Sequence, residues 1–221
     1  MAGNATVSTE VSVWRTEGFP VDADRILRVQ GYRDPARIRP RIRKIAERAA
    51  ADIATIGTPE ARFVRSGIES ISNGVLTLSG GHEFNCAAFD RLLANATDVV
   101  VFVMTLGPGV DVATAQRFEA SEPVDALFLE CAGWLCVERA TRMLAAHLQE
   151  EMASEGLGVT FRLGPGYDYK SGEDRAVWGL EEQPALFRVF GDASLPVDLL
   201  ESCAMLPKLS RSGLFGVAPR S

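Results

Sequence analysis

Apolar residues recur at helical spacing through residues 35–56, where Ile38, Ile42 and Ile45 alternate with Arg, Glu and Lys that face outward. The spacing predicts a long amphipathic helix there and a shorter one over residues 24–32. Residues 1–20 carry no such pattern and read as a polar arm, ahead of one folding unit over residues 21–221. The period then shortens. Residues 61–68 and 75–78 read as strands joined at Asn73-Gly74, a dipeptide suited to two consecutive positive φ angles. A helical stretch at 90–94 precedes VVVFVMTLGPG (residues 99–109), a buried strand entering a glycine turn. Residues 124–152 form a long helix with Leu135, Cys136, Ala140, Met143, Leu144 and Leu148 on or near its buried side. FRLGPGY (161–167) follows as strand and loop, and the charged residues 168–175 read as a flexible insertion. A further helix covers LEEQPALFRVF, and the chain closes with ESCAMLPKLSRSGLFG.

Composition fits one ordinary globular unit: 221 residues, 47% of them hydrophobic, with no repeat and no linker. The net charge of −6, from 29 acidic and 23 basic residues, gives no electrostatic footprint for nucleic acid or an anionic membrane. The arginines of RDPARIRPRIRKIAER recur at helical spacing and read as a solvated face. The N-terminus lacks a basic region followed by an apolar one, and the run 99–104 is too short to span a bilayer. A cytoplasmic location is expected.

The four cysteines, Cys86, Cys131, Cys136 and Cys203, form no C-x-x-C pair, and only His82 and His147 could join them. On a helix, Cys131 and Cys136 point about 140° apart. No metal site is expected, and the thiols read as reduced and buried.

Two glycine turns invite ligands. Gly107-Pro108-Gly109 follows a strand, as in dinucleotide-binding units, but the G-x-G-x-x-G spacing is missing and Asp111 lies too close to serve a ribose. In FRLGPGY, glycine where φ must be positive and proline where φ is fixed already make a complete turn. A ligand-binding loop fits the same seven residues, and local sequence leaves the choice open.

The order of motifs says more. R-x-x-P-G-Y at Arg162–Tyr167, L-x-x-Q at Leu180–Gln183 and E-S-x-x-M-x-P-x-x-S-x-S-G at Glu201–Gly213 together resemble the reactivation domain of cobalamin-dependent methionine synthase. VVVFVMTLGPG, CAGWLCVERA and ILRVQGYRDP are similar to the strand with its T-x-G turn, the G-x-x-x-x-E helix and the opening of stand-alone members. The resemblance covers about residues 24–217. It implies an α+β fold, a twisted and largely antiparallel sheet flanked by helices.

It also implies a function. The family binds S-adenosylmethionine in a shallow groove and supports reductive methylation of cob(II)alamin held by another module, so this chain would be the detached reactivation component of a split enzyme. Its partners would be a cobalamin-binding protein, a homocysteine methyltransferase component and a flavodoxin-like electron donor. By the resemblance Arg162 meets the methionyl carboxylate, Gly164, Gly166 and Tyr167 lie against the ligand, and Glu138 lies near its amino group. No residue need act as a general base, because the cofactors carry the reactivity and the protein holds sulfur, methyl and cobalt in line. Glu138 fits equally an ion pair with Arg142, one turn on. Glu201, Ser202, Ser210, Ser212 and Gly213 match the closing motif, and Lys208 reads as exposed.

The departures from the family are specific. No strand or aromatic contact is expected after the closing motif, and no aspartate matches the one contributed by the family's N-terminal arm. Tyr169 or Trp178 could replace the missing aromatic wall. The chain carries no Asp-x-His-x-x-Gly signature, so the corrinoid must sit on a partner. Two other roles share these residues: a docking module that caps a corrinoid protein without binding S-adenosylmethionine, and a reactivator for a corrinoid demethylation system.

Overall fold

A computed structural model describes residues 10–171 and 174–220. In chain order the elements are β1 (Ser12–Arg15), α1 (Ala23–Val29), α2 (Pro40–Ile56), β2 (Glu60–Ser72), β3 (Val75–Leu78), β4 (His82–Asn85), α3 (Phe89–Leu92) and β5 (Asp98–Thr105). They continue with α4 (Gly109–Glu119), α5 (Pro123–Ala153), β6 (Leu157–Val159), β7 (Tyr167–Ser171), β8 (Asp174–Trp178), α6 (Gln183–Arg188), β9 (Asp198–Leu199), β10 (Met205–Leu206) and β11 (Ser210–Pro219).

The main sheet runs β4-β3-β2-β5-β11-β6, antiparallel at every pairing, with β1 and β3 sharing the outer edge of the long strand β2. At the β2–β3 turn both Asn73 (φ 53°) and Gly74 (φ 78°) adopt positive φ, as the dipeptide predicts.

Strand β5 is central, between β2 and β11, and both of its faces are covered. That is why VVVFVM reads as an unbroken apolar run instead of an alternation. Val100, Phe102 and Met104 pack with the helices α1, α2 and α5, together with Phe63 and Phe215. Val99, Val101 and Val103 pack on the other side with Leu163, Trp178, Leu186 and Phe89. The fold is therefore an α+β domain with its sheet between a helical layer and a layer of short elements. The antiparallel neighbours of β5 exclude a dinucleotide-binding βαβ unit at Gly107.

Helix α5, 31 residues long and thus about 46 Å, lies across the sheet and buries Leu129, Cys136, Ala140, Leu144 and Leu148. Both α2 and α5 begin with proline in the first turn, where its missing N–H costs nothing. The arginine-rich stretch lies on the outer face of α2, where Arg43 pairs with Asp24 and Arg48 with Asp125. Among the described residues, no helix is long and apolar enough to cross a membrane.

Two expectations change. The polar arm is not patternless: Ser12–Arg15 adds an antiparallel strand to β2, with Trp14 opposite Ala61 and packed on the helical core. Four residues are too few for alternation to stand out from the Ser and Thr around them. Residues 168–175 are not a flexible insertion either. They form the β7–β8 hairpin, with Tyr169 opposite Ala176, and its turn lies outside the described residues. The charged residues that suggested a loop pair across it, Asp168 with Arg175.

Candidate functional site

One groove gathers residues from the FRLGPGY segment, the middle of α5, the start of α6 and residues 203–212, which lead into β11. Its volume is about 260 Å³ and it is open to solvent. Alternation along β11 sends Phe215 and Val217 toward the helices and Leu214 toward the opposite core. By the same register Arg211 faces α5, and Ser212 faces α6 and the FRLGPGY segment.

The segment FRLGPGY is fastened to the sheet at Leu163, which exchanges backbone hydrogen bonds with Leu214 (2.9 and 2.8 Å). Gly213 permits this approach, since a Cβ there would lie 2.2 Å from the Leu163 carbonyl oxygen. Beyond it Gly166 turns with φ 83°, and its N–H donates to the Trp178 carbonyl (2.7 Å), closing the base of the β7–β8 hairpin. The hydroxyl of Tyr169 accepts from the Gly164 N–H (2.7 Å) and donates to the Gly164 carbonyl (3.1 Å). The loop is thus held at three points before any ligand is considered.

Arg162 lies along the groove. Its Nη1 donates to the Ser212 carbonyl (3.2 Å), and its Cζ stands 4.3 Å from the centroid of the Tyr167 ring. Gly164 makes room for it, because a Cβ at that position would come within 2.2 Å of Nη1. Among the described residues no carboxylate lies within ion-pair distance of Arg162. Burial lowers its pKa, and the neighbouring charge of Arg211 lowers it further.

Glu138 does not pair with Arg142. Its Oε2 accepts from Nη1 of Arg211 at 2.6 Å, a bond that joins α5 to β11. Burial alone would raise the pKa of Glu138, but hydrogen bonding and the charge of Arg211 outweigh it and the net shift is downward. Arg211 and Val137 line the groove, and Glu138 sits behind them. The groove therefore holds two guanidiniums and one carboxylate, and that carboxylate is already engaged.

The L-x-x-Q glutamine is a structural tie. Gln183, 2% exposed, donates from Nε2 to the Cys203 carbonyl (2.9 Å) and accepts through Oε1 from the Ser212 hydroxyl (3.1 Å). Ser210 caps its own turn by donating to the Pro207 carbonyl (2.6 Å). Lys208 is more than exposed: its N–H donates to Asp111 of α4 (2.7 Å), and its ammonium pairs with Glu130 of α5. Glu201 and Ser202 lie in an exposed turn before β10, away from the groove lining.

The aromatic wall is not the one expected. Trp178 is fully buried between Phe84 and Phe89, with ring centroids 5.7 and 5.1 Å away, and Tyr169 is turned under the loop. Trp134 of α5, 47% exposed, lines the groove instead, opposite Tyr167 and Leu180 on the FRLGPGY side. Sequence reading missed Trp134 and Arg211. The first lies one turn before Glu138 on the same helical face; the second lies between the two motif serines, on the opposite face of the strand.

No protein-family model matches the sequence, and no curated protein matches it. Among solved structures, the chain aligns with a crystal structure of the MetH reactivation domain bound to AdoHcy. The TM-score is 0.65 over 96% of this chain and 80% of that one, at 14% sequence identity. The chain shares that domain's fold. At this identity the correspondence is one of backbone architecture, and the resemblance read from the ordered motifs holds at that level.

Proposed function

We propose that the groove binds S-adenosylmethionine and that the chain is the reactivation component of a split cobalamin-dependent methionine synthase. The observation that carries this reading is Arg162: a half-buried guanidinium, fixed by Tyr167 and the Ser212 carbonyl, without a carboxylate of its own among the described residues. Such a group is suited to a ligand carboxylate, which it can meet bidentately. Gly164 keeps its position clear, and Trp134 and Tyr167 offer ring surface to an adenine.

The open shape suits delivery to a partner. At about 260 Å³ the groove is smaller than the roughly 300–1,000 Å³ of pockets that enclose a ligand, so part of a bound ligand stays accessible from outside. Leu180, Leu206 and Leu200 are exposed nearby and would give a partner protein apolar contact. When bound, S-adenosylmethionine supplies the methyl group, and a separate donor supplies one electron to cob(II)alamin on the partner. This chain's part is to orient the ligand and exclude water.

The exposed apolar rim also favours a second role, a cap that docks on a corrinoid protein without binding S-adenosylmethionine. Calorimetric titration with S-adenosylmethionine separates the two, since a cap takes up none. The activity itself is tested by mixing the chain with a corrinoid protein, S-adenosylmethionine and a low-potential reductant, and following the cob(II)alamin spectrum. Conversion to methylcobalamin should slow markedly when the chain is omitted. A rate unchanged by omission rejects the reactivation role.

A further inference from the structure

The groove has an unusual balance of charge for a zwitterionic ligand. An amino-acid end group presents a carboxylate and an ammonium, and binding it well takes a cation for one and an anion or strong acceptor for the other. Arg162 is available for the first. For the second, the nearest carboxylate is Glu138, and Arg211 holds it at 2.6 Å while standing between it and the groove. The Ser212 carbonyl, an alternative acceptor, already takes a hydrogen bond from Arg162.

Arg211 is not a mobile surface side chain. The residue is 8% exposed, on an inner strand bonded to β5, with its register fixed opposite Met104. An ammonium entering the groove would have to displace it or lie beside two guanidiniums. Either arrangement is unfavourable, the first through a lost charge-assisted bond and the second through like-charge repulsion.

We propose that Arg211 is the specificity-determining residue of the groove: it engages Glu138, so the site takes an adenosyl thioether or sulfonium by its carboxylate end and gives no anionic partner to an ammonium. The favoured ligand class is an adenosyl compound with a carboxylate and no adjacent ammonium. This rests on the adenosyl-ligand reading above, and it makes the protein a weak binder of the amino-acid form.

The test is calorimetric titration of the full chain with S-adenosylhomocysteine and with its deamino analogue, in which hydrogen replaces the ammonium. The wild-type chain should bind the analogue at least as tightly as the parent. Arg211→Ala should tighten S-adenosylhomocysteine by about tenfold and leave the analogue equal or weaker, because Glu138 is freed and one cation is lost. Glu138→Gln serves if the arginine variant does not fold, and should leave S-adenosylhomocysteine binding unchanged within about twofold. A tenfold loss for S-adenosylhomocysteine alone in Glu138→Gln would mean that Glu138 meets the ammonium directly, which overturns the proposal. Equal effects of Arg211→Ala on both ligands also overturn it. If neither compound binds any of the three proteins, the adenosyl reading itself fails; if both bind but without these differences, only the role of Arg211 fails.

Discussion

Gly164 occupies the one position in FRLGPGY where any side chain would collide with the guanidinium of Arg162, 2.2 Å from an added Cβ. The colliding atom is the tip of a flexible side chain, so an alanine there can be accommodated by swinging Arg162 away from its place. The same Cβ would stand 3.0 Å from the Ser212 carbonyl oxygen, which is tight but short of a severe clash. Gly164→Ala should therefore change the melting temperature little and weaken S-adenosylmethionine binding by about tenfold or more, as loss of one charge-assisted contact would. Melting curves beside titrations check it, and a well-folded variant with unchanged affinity would detach Arg162 from ligand binding.

Arg162 itself gives a sharper contrast. Arg162→Ala removes a charge-assisted hydrogen bond of roughly 1.5 to 3 kcal/mol to the ligand, a loss of about ten- to a hundredfold in affinity. Arg162→Lys keeps the charge but loses both the fork and the planar contact with the Tyr167 ring, and should recover only part of that loss. If the arginine serves only to tie the segment to Ser212, both variants should instead melt earlier and bind ligand normally.

Tyr169 tests whether the loop is preformed. Its hydroxyl makes both of its hydrogen bonds with Gly164, so Tyr169→Phe leaves the Gly164 N–H and carbonyl without that partner. The expected cost is about 1–3 kcal/mol of stability, from two bonds at roughly 0.5–1.5 kcal/mol each. Chemical denaturation measures it, and amide exchange at Gly164 should accelerate in the same variant.

The Glu138–Arg211 bond makes stability depend on pH in a defined direction. Glu138 is held below its ordinary value of 4.5, so the unfolded chain takes up this proton more readily than the folded one. The contribution is fully present above about pH 4.5 and is lost as the pH falls through the lowered folded-state value. The melting temperatures of wild type and Glu138→Gln should thus differ most near neutrality and converge in acid. A gap that widens on acidification contradicts the assignment of Arg211 as the partner of an ionised Glu138.

The sequence by itself determined the elements whose signal is local and repeated. Helices α2 and α5 follow from periodicity, the β2–β3 turn from Asn73-Gly74, and strand β5 from an apolar run that only a doubly covered strand can bury. The ordered motifs also pointed to the fold, because motif order survives where 14% identity leaves little else to compare. Strand β1 and the β7–β8 hairpin were hidden, since both are short and polar and gain their strand geometry from partners elsewhere in the chain. The arrangement of the groove was decided only by the tertiary structure. Glu138 had a neighbour at the favourable helical spacing in Arg142, yet its partner is Arg211, 73 residues away, because the register of β11 against β5 aims that side chain at α5. Trp178 had the composition of a ligand wall and became core, while Trp134 took the exposed place at the groove. Residue type sets what a side chain can do; which charges share one groove depends on strand register and helix packing, quantities that link residues far apart in the chain.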